Sequence, residues 1–194
     1  MSCRLVLLGP PGSGKGTQGA TLATRLGVPA ISTGELFRDQ ISRGTDLGRQ
    51  AGEFISQGHL VPDEVTNAMV EVRLDQPDAA QGFILDGYPR NTDQVAVLDQ
   101  ILAKRGLKID AWVELTLPEP LIVERLLKRA QLEGRADDTE PVILERLSVY
   151  HHLTEPIIAI GRARGDLLEI DGMGSVEDVG TRIMAGLRDR LAGS

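Results

Sequence analysis

Short apolar runs alternate along the chain with stretches of helical spacing. Residues 5–8 (LVLL) end at Gly9, residues 83–85 (FIL) end at Asp86, and residues 167–170 (LLEI) form a third run. Residues 112–117 (WVELTL) alternate, with Val113, Leu115 and Leu117 on one side and Glu114 and Thr116 on the other. A weaker run covers residues 28–31. Between them, Val176, Val179, Ile183, Leu187 and Leu191 step by three and four, which marks one helical face, and Ser175 precedes it as an N-cap. Val95, Leu98 and Leu102 repeat the spacing, as do Ile122 and Leu126. Such alternation predicts an α/β chain with a parallel sheet covered by helices on both faces. Two stretches interrupt it on the ligand side of the sheet. Residues 33–61 read as two helices without a strand, with Gly44, Gly48, Gly52 and Gly58 as breakers, and residues 129–138 (RAQLEGRADD) are short and polar.

A chain of 194 residues and 20.9 kDa suffices for one well-buried core. No apolar run approaches the roughly 18 residues of a membrane span, and residues 5–8 are too few for a secretory signal core. Cys3 is the single cysteine, so no internal disulfide is expected, and a reducing cytoplasm suits the chain. A net charge of −7 argues against general nucleic-acid binding, which neutralises backbone phosphate with Lys and Arg. An anionic ligand must therefore meet local positive charge. That charge is mostly arginine, 17 against 4 lysines.

The stretch Gly9 to Gln18, GPPGSGKGTQ, supplies one such place. A buried-type strand runs into it, Gly9, Gly12, Gly14 and Gly16 bring the backbone close, and Lys15 stands at a helix start. Unpaired N–H groups at a helix N-terminus bind phosphate, glycines let successive N–H groups converge, and lysine adds a point charge. The usual phosphate loop carries Ser or Thr after the lysine to hold magnesium. Gly16 stands there instead and Thr17 follows one residue late. Magnesium would then be held through the nucleotide, water or Thr17, with Asp86 as the acidic partner at the end of a neighbouring strand.

Taken in order, GPPGSGKGTQ, ISTGELFR, GHLVPDE, GFILDGYPRN, GRADD and VILERLSVY closely resemble the adenylate kinase family over essentially the whole chain. The Gly after Lys is typical of that family. The resemblance implies a three-layer P-loop nucleotide kinase fold on a five-stranded parallel sheet. Its core would be residues 1–31, 62–128 and 139–194, with a helical monophosphate-binding insertion at 32–61 and a short lid at 129–138. It implies transfer of the terminal phosphoryl group of Mg-ATP to AMP by a monomer that works without nucleic acid or membrane. ATP phosphates would lie on Gly12, Ser13, Gly14, Lys15, Gly16 and Thr17, with Arg125 and Arg129 beside them and Gly174 against the adenine. AMP would lie at Thr33 and Arg38, along His59, Leu60 and Val61, at Gly87, Tyr88, Pro89 and Arg90, and at Gln94. Arg135 and Arg146 would reach between the nucleotides, and Lys15, Arg90, Arg129, Arg135 and Arg146 would carry the transfer.

Forked arginine donors suit the negative charge spread over a phosphoryl group in flight. These arginines lie on at least four segments and converge only if the flaps close, which also excludes water. A UMP/CMP kinase shares the loop and most of the arginines. Those enzymes resemble SAGELLR where this chain has STGELFR, and the Thr33 hydroxyl can bond an adenine edge. A catalytically silent nucleotide-binding module would be expected to lack Lys15 or one of the arginines. With Cys3 alone, the cysteine zinc site of longer lids cannot form, and metal roles for His59, His151 and His152 are not expected.

Overall fold

A computed structural model describes residues 3–133 and 139–192. Five strands form one parallel sheet: β1 (Cys3–Leu8), β2 (Ala30–Ser32), β3 (Gly82–Asp86), β4 (Ala111–Thr116) and β5 (Leu167–Asp171). Each contains or overlaps one of the apolar runs. The order is β2-β3-β1-β4-β5. From β1 the chain winds first to one edge and later to the other, so the connections diverge beside β1. The carboxyl ends of strands at such a switch point open a crevice.

Helices cover both faces, which explains why β1 is continuously apolar from Leu5 to Leu8 rather than alternating. Cys3, Leu5 and Leu7 pack with Val113, Leu115 and Leu22 of α1 (Lys15–Leu26) and with Val179, Ile183 and Leu187 of α9 (Val176–Ala192). Val6 and Leu8 face the other way. They join Trp112, Val70 of α4 (Asp63–Leu74), Val95, Leu98 and Leu102 of α5 (Thr92–Ala103), and Ile157 of α8 (Pro156–Arg164). Each such side chain contributes about 1.5–3 kcal/mol by burial. Val176, expected on the buried face of α9, is 48% exposed and lines the cleft instead. The Leu191 side chain lies outside the described residues. Ser175 caps α9: its Oγ accepts from Asp178 N at 3.1 Å, and Asp178 Oδ2 accepts from Ser175 N at 3.0 Å.

The first interruption folds as α2 (Thr33–Ser42) and α3 (Asp46–Ser56), with a small core of Phe37, Ala51 and Val61. Gly44 and Gly58 sit where helices end, but Gly48 and Gly52 lie inside α3 rather than breaking it. The reason at Gly48 is close approach: a Cβ there would lie 2.1 Å from the Gln40 carbonyl oxygen. The second interruption begins on helix. Residues 129–133 continue α6 (Glu119–Glu133), which packs Ile122 and Leu126 against Ile143 and Leu147 of α7 (Glu140–Val149). A π-helical turn, Tyr150–Thr154, follows α7.

Candidate active site

A cleft of about 630 Å³ opens at the carboxyl ends of β1 and β3. One end is the loop between β1 and α1. At Gly12 φ is +81°, and a Cβ would lie 2.8 Å from Leu126 Cγ, so both the conformation and the packing against α6 select glycine. The Lys15 ammonium turns into the loop and donates to the carbonyls of Gly9 at 2.7 Å and Pro10 at 2.8 Å, and to Ser13 Oγ at 3.3 Å. These oxygens do what phosphate oxygens would do for an ammonium. Burial pulls Lys15 down to about 8. Asp86 opposes that shift, whereas Arg90, Arg146 and Arg129 add to it.

Asp86 ends β3, in register with Leu7 of β1 and Ser32 of β2. It is one carboxylate facing several cations. Burial lowers Arg90 below the usual guanidinium value, with Asp86 opposing and Arg146 and Arg38 adding. Lys15, Arg38, Arg90, Arg129 and Arg146 thus converge on one cleft from α1, α2, the loop after β3, α6 and α7. Arg125 of α6 lines the same cleft. Arg135, the remaining arginine expected here, lies outside the described residues. A Cβ at Gly16 would stand 3.6 Å from Asp86 Oδ2, an ordinary contact, so Asp86 lies directly beside the loop.

The far end is built from separate segments. Thr33 Oγ1 donates to the Gly87 carbonyl at 2.8 Å, which leaves only lone pairs on that oxygen for a ligand. Arg90 Nε donates to the same carbonyl at 2.9 Å. Gln94 is buried, and its Oε1 accepts from Arg90 N at 2.7 Å. His59, Leu60 and Val61 after α3 line the cleft, as do Gly87, Pro89, Arg90 and Gln94. There the insertion rests on α7: a Cβ at Gly58 would lie 3.1 Å from Arg146 Cγ, and His59 Nε2 stands 3.5 Å from Glu145 Oε1. Tyr88 does not line the cleft. Its side chain is 1% exposed in the core, and its hydroxyl donates to Asn67 Oδ1 at 2.7 Å. The bond from Tyr88 to Pro89 is cis.

Gly174 lines the cleft on the side of the loop after β5, along with Gly172 and Val176. Arg182 Nη1 spans that loop, donating to the carbonyls of Asp171 at 2.7 Å and Met173 at 2.6 Å. Thr154, in the π-helical turn, donates from Oγ1 to the Arg90 carbonyl at 2.8 Å. Sequence reasoning missed Thr154, Arg182 and Asp63, the last of which accepts from Gln94. The Ser175–Asp178 cap could have drawn notice to Arg182 one turn further along. Nothing in the local sequence marks the other two, whose partners lie 64 and 31 positions away. The remaining candidates outside the cleft are accounted for locally. Cys3 is buried, which pushes its thiol up to about 11. His151 pairs with Glu155 at 2.8 Å, and His152 Nδ1 lies 2.8 Å from the Ser148 carbonyl.

The adenylate kinase family model matches residues 7–165. An adenylate kinase of Kocuria rhizophila is 50% identical over 184 residues, 95% of this chain and 98% of that protein. One of Thermobifida fusca is 47% identical over 187 residues, covering 96% and 99%. One of Xylella fastidiosa is 50% identical over 184 residues, covering 95% and 98%.

Proposed function

Because the chain belongs to the adenylate kinase family, we propose that its cleft holds ATP and AMP end to end and carries the transfer with the residues named above. The chain is a phosphotransferase, and its reaction is the reversible transfer of the terminal phosphoryl group of ATP to AMP, giving two ADP. The observation that carries the residue assignment is the convergence of Lys15, Arg38, Arg90, Arg129 and Arg146 on one cleft.

In this reading the ATP phosphates replace the carbonyls that Lys15 now engages, and residues 12–17 wrap them with backbone N–H groups. Arg38 and Arg90 grip the AMP phosphate from two elements. An oxygen of that phosphate attacks the terminal phosphorus in line as the bond to the leaving ADP oxygen breaks. Arg129 and Arg146 neutralise the charge spread over the phosphoryl group, and Arg135 joins them in the same role. No protein nucleophile takes part, so positioning and electrostatics supply the acceleration. Gly174 packs against the donor adenine and Arg125 flanks the donor phosphates. Thr33 accepts from the 6-amino group of the acceptor adenine, and His59, Leu60 and Val61 hold its outer side.

A magnesium ion fits these residues. It keeps several waters and needs only one or two carboxylates, and Asp86 is a carboxylate beside a loop that Gly16 leaves open. When bound it would offset charge on the donor phosphates. Asp86 would hold it, with Thr17 the nearest hydroxyl in sequence. Zinc has no place in the reading. The reading takes the protein as a monomer in a reducing cytoplasm, which a lone buried thiol suits. Among the described residues no helix is long and apolar enough to cross a membrane. The relatives favour neither a pyrimidine-specific kinase nor a silent binding module.

The test is ADP formation from Mg-ATP with AMP, CMP, UMP and GMP offered separately. Turnover with AMP at least tenfold above the others is expected. Preference for CMP or UMP would sink the acceptor assignment while leaving the loop and arginines in place.

A further inference from the structure

Gln94 lines the cleft, and its amide orientation is decided by one partner that lines the cleft and one that does not. Oε1 accepts from Arg90 N at 2.7 Å, and Nε2 donates to Asp63 Oδ1 at 2.6 Å. A backbone N–H only donates and an ionised carboxylate only accepts, so the amide has one permitted orientation. Asp63 is itself fixed. Asn91 Nδ2 donates to Oδ2 at 2.9 Å and Oδ1 at 3.1 Å, while Asn91 Oδ1 accepts from Gln94 N at 2.8 Å as the cap of α5. That cap forces the Asn91 amino group toward Asp63. The two amides and the carboxylate form a closed set in which reversing either amide sets donor against donor.

We propose that Asp63, which does not line the cleft, is a positioning residue that sets acceptor-base selectivity through Gln94. This rests on the reading of the far end as the AMP site. A primary amide has two donor hydrogens and two acceptor lone pairs. Here one of each is committed, so one N–H and one lone pair remain, in a fixed order. Adenine offers an acceptor at N1 beside a donor amino group at C6. Hypoxanthine offers the reverse, a donor at N1 and an acceptor at C6. A fixed Gln94 therefore matches one and opposes the other, whereas a Gln94 free to reverse would accept either. Thr33 acts in the same sense, since its own proton is committed to the Gly87 carbonyl.

The experiment is calorimetric binding of AMP and of IMP to the full chain and to Asp63→Ala, without ATP so that no turnover occurs. The native chain should bind AMP more than tenfold tighter than IMP. Asp63→Ala removes one of the two partners that fix the amide and leaves the Arg90 N–H, so AMP should weaken more than IMP and the ratio should narrow about fivefold without vanishing. Equal weakening of both nucleotides, or an unchanged ratio, would mean that Asp63 merely supports the fold and would overturn the proposal. Gln94→Leu provides a second check. Adding Asp63→Ala in that background should cost no further AMP affinity, and an additive loss would overturn the proposal independently. Failure of the AMP-site reading itself would show in the native chain, as AMP bound no better than IMP.

Discussion

In the proposed reading, the donor end of the cleft is residues 12–17, which follow one another along the chain. At the acceptor end, Thr33 and Gly87 meet from 54 positions apart, and Gln94 meets Asp63 from 31. The donor loop needs little beyond a strand, a turn and the start of a helix, because backbone N–H groups and one ammonium recognise phosphate. The acceptor end, on the same proposal, must tell one base edge from another. That takes side-chain donors and acceptors held in a set order, and each is held by a partner from another element. Phosphate is recognised by charge and backbone, which are local. A base is recognised by an arrangement of hydrogen bonds, which is tertiary.

The largest expected effect falls on the donor end. Lys15→Ala should lower kcat by about 10²–10³-fold, the scale for removing one preorganised electrostatic donor, with KM for AMP changed less than about threefold. Steady-state kinetics with both substrates varied would check it, and a loss confined to KM for AMP would erase the contrast between the ends. Arg38→Ala should act on the other side. KM for AMP should rise by roughly 10–100-fold, as expected for a charged hydrogen bond of about 1.5–3 kcal/mol, while KM for ATP moves little. The smallest effect sharpens the contrast through pH. Lys15 loses its proton near 8 in the empty cleft, and bound phosphate favours the protonated form. Binding above that pH therefore takes up a proton, and affinity falls as pH rises. ATP affinity should fall about tenfold from pH 7 to 9, whereas AMP affinity, held by guanidinium groups, should stay flat. Titration calorimetry across that range measures both, and the ATP slope should vanish in Lys15→Ala.

Three strands were legible as short apolar runs that end at Gly9, Asp86 and Asp171, a fourth by the alternation over residues 112–117, and the edge strand only weakly over residues 28–31. The capping pair of Ser175 and Asp178 was legible in its first member. Glycine misled inside α3. Gly48 and Gly52 read as breakers because glycine weakens helices, but Gly48 is kept small by the Gln40 carbonyl of the neighbouring helix, which no local pattern reveals. Tyr88 misled in the opposite way. It lies within a run whose backbone and neighbours border the cleft, yet its own ring turns into the core, where Asn67 meets its hydroxyl.

By itself the sequence determined the sheet, the phosphate loop with Gly16 after Lys15, and the arginines available to a phosphoryl group. These follow from periodicity, turn chemistry and composition, which act over a few residues. Only the tertiary structure decided which carbonyls hold Lys15, that Asp86 lies among the cations, and that Asp63 orients Gln94. Each of those depends on which strand lies next to which, because hydrogen bonds and desolvation act over a few ångströms in space, whatever the separation along the chain.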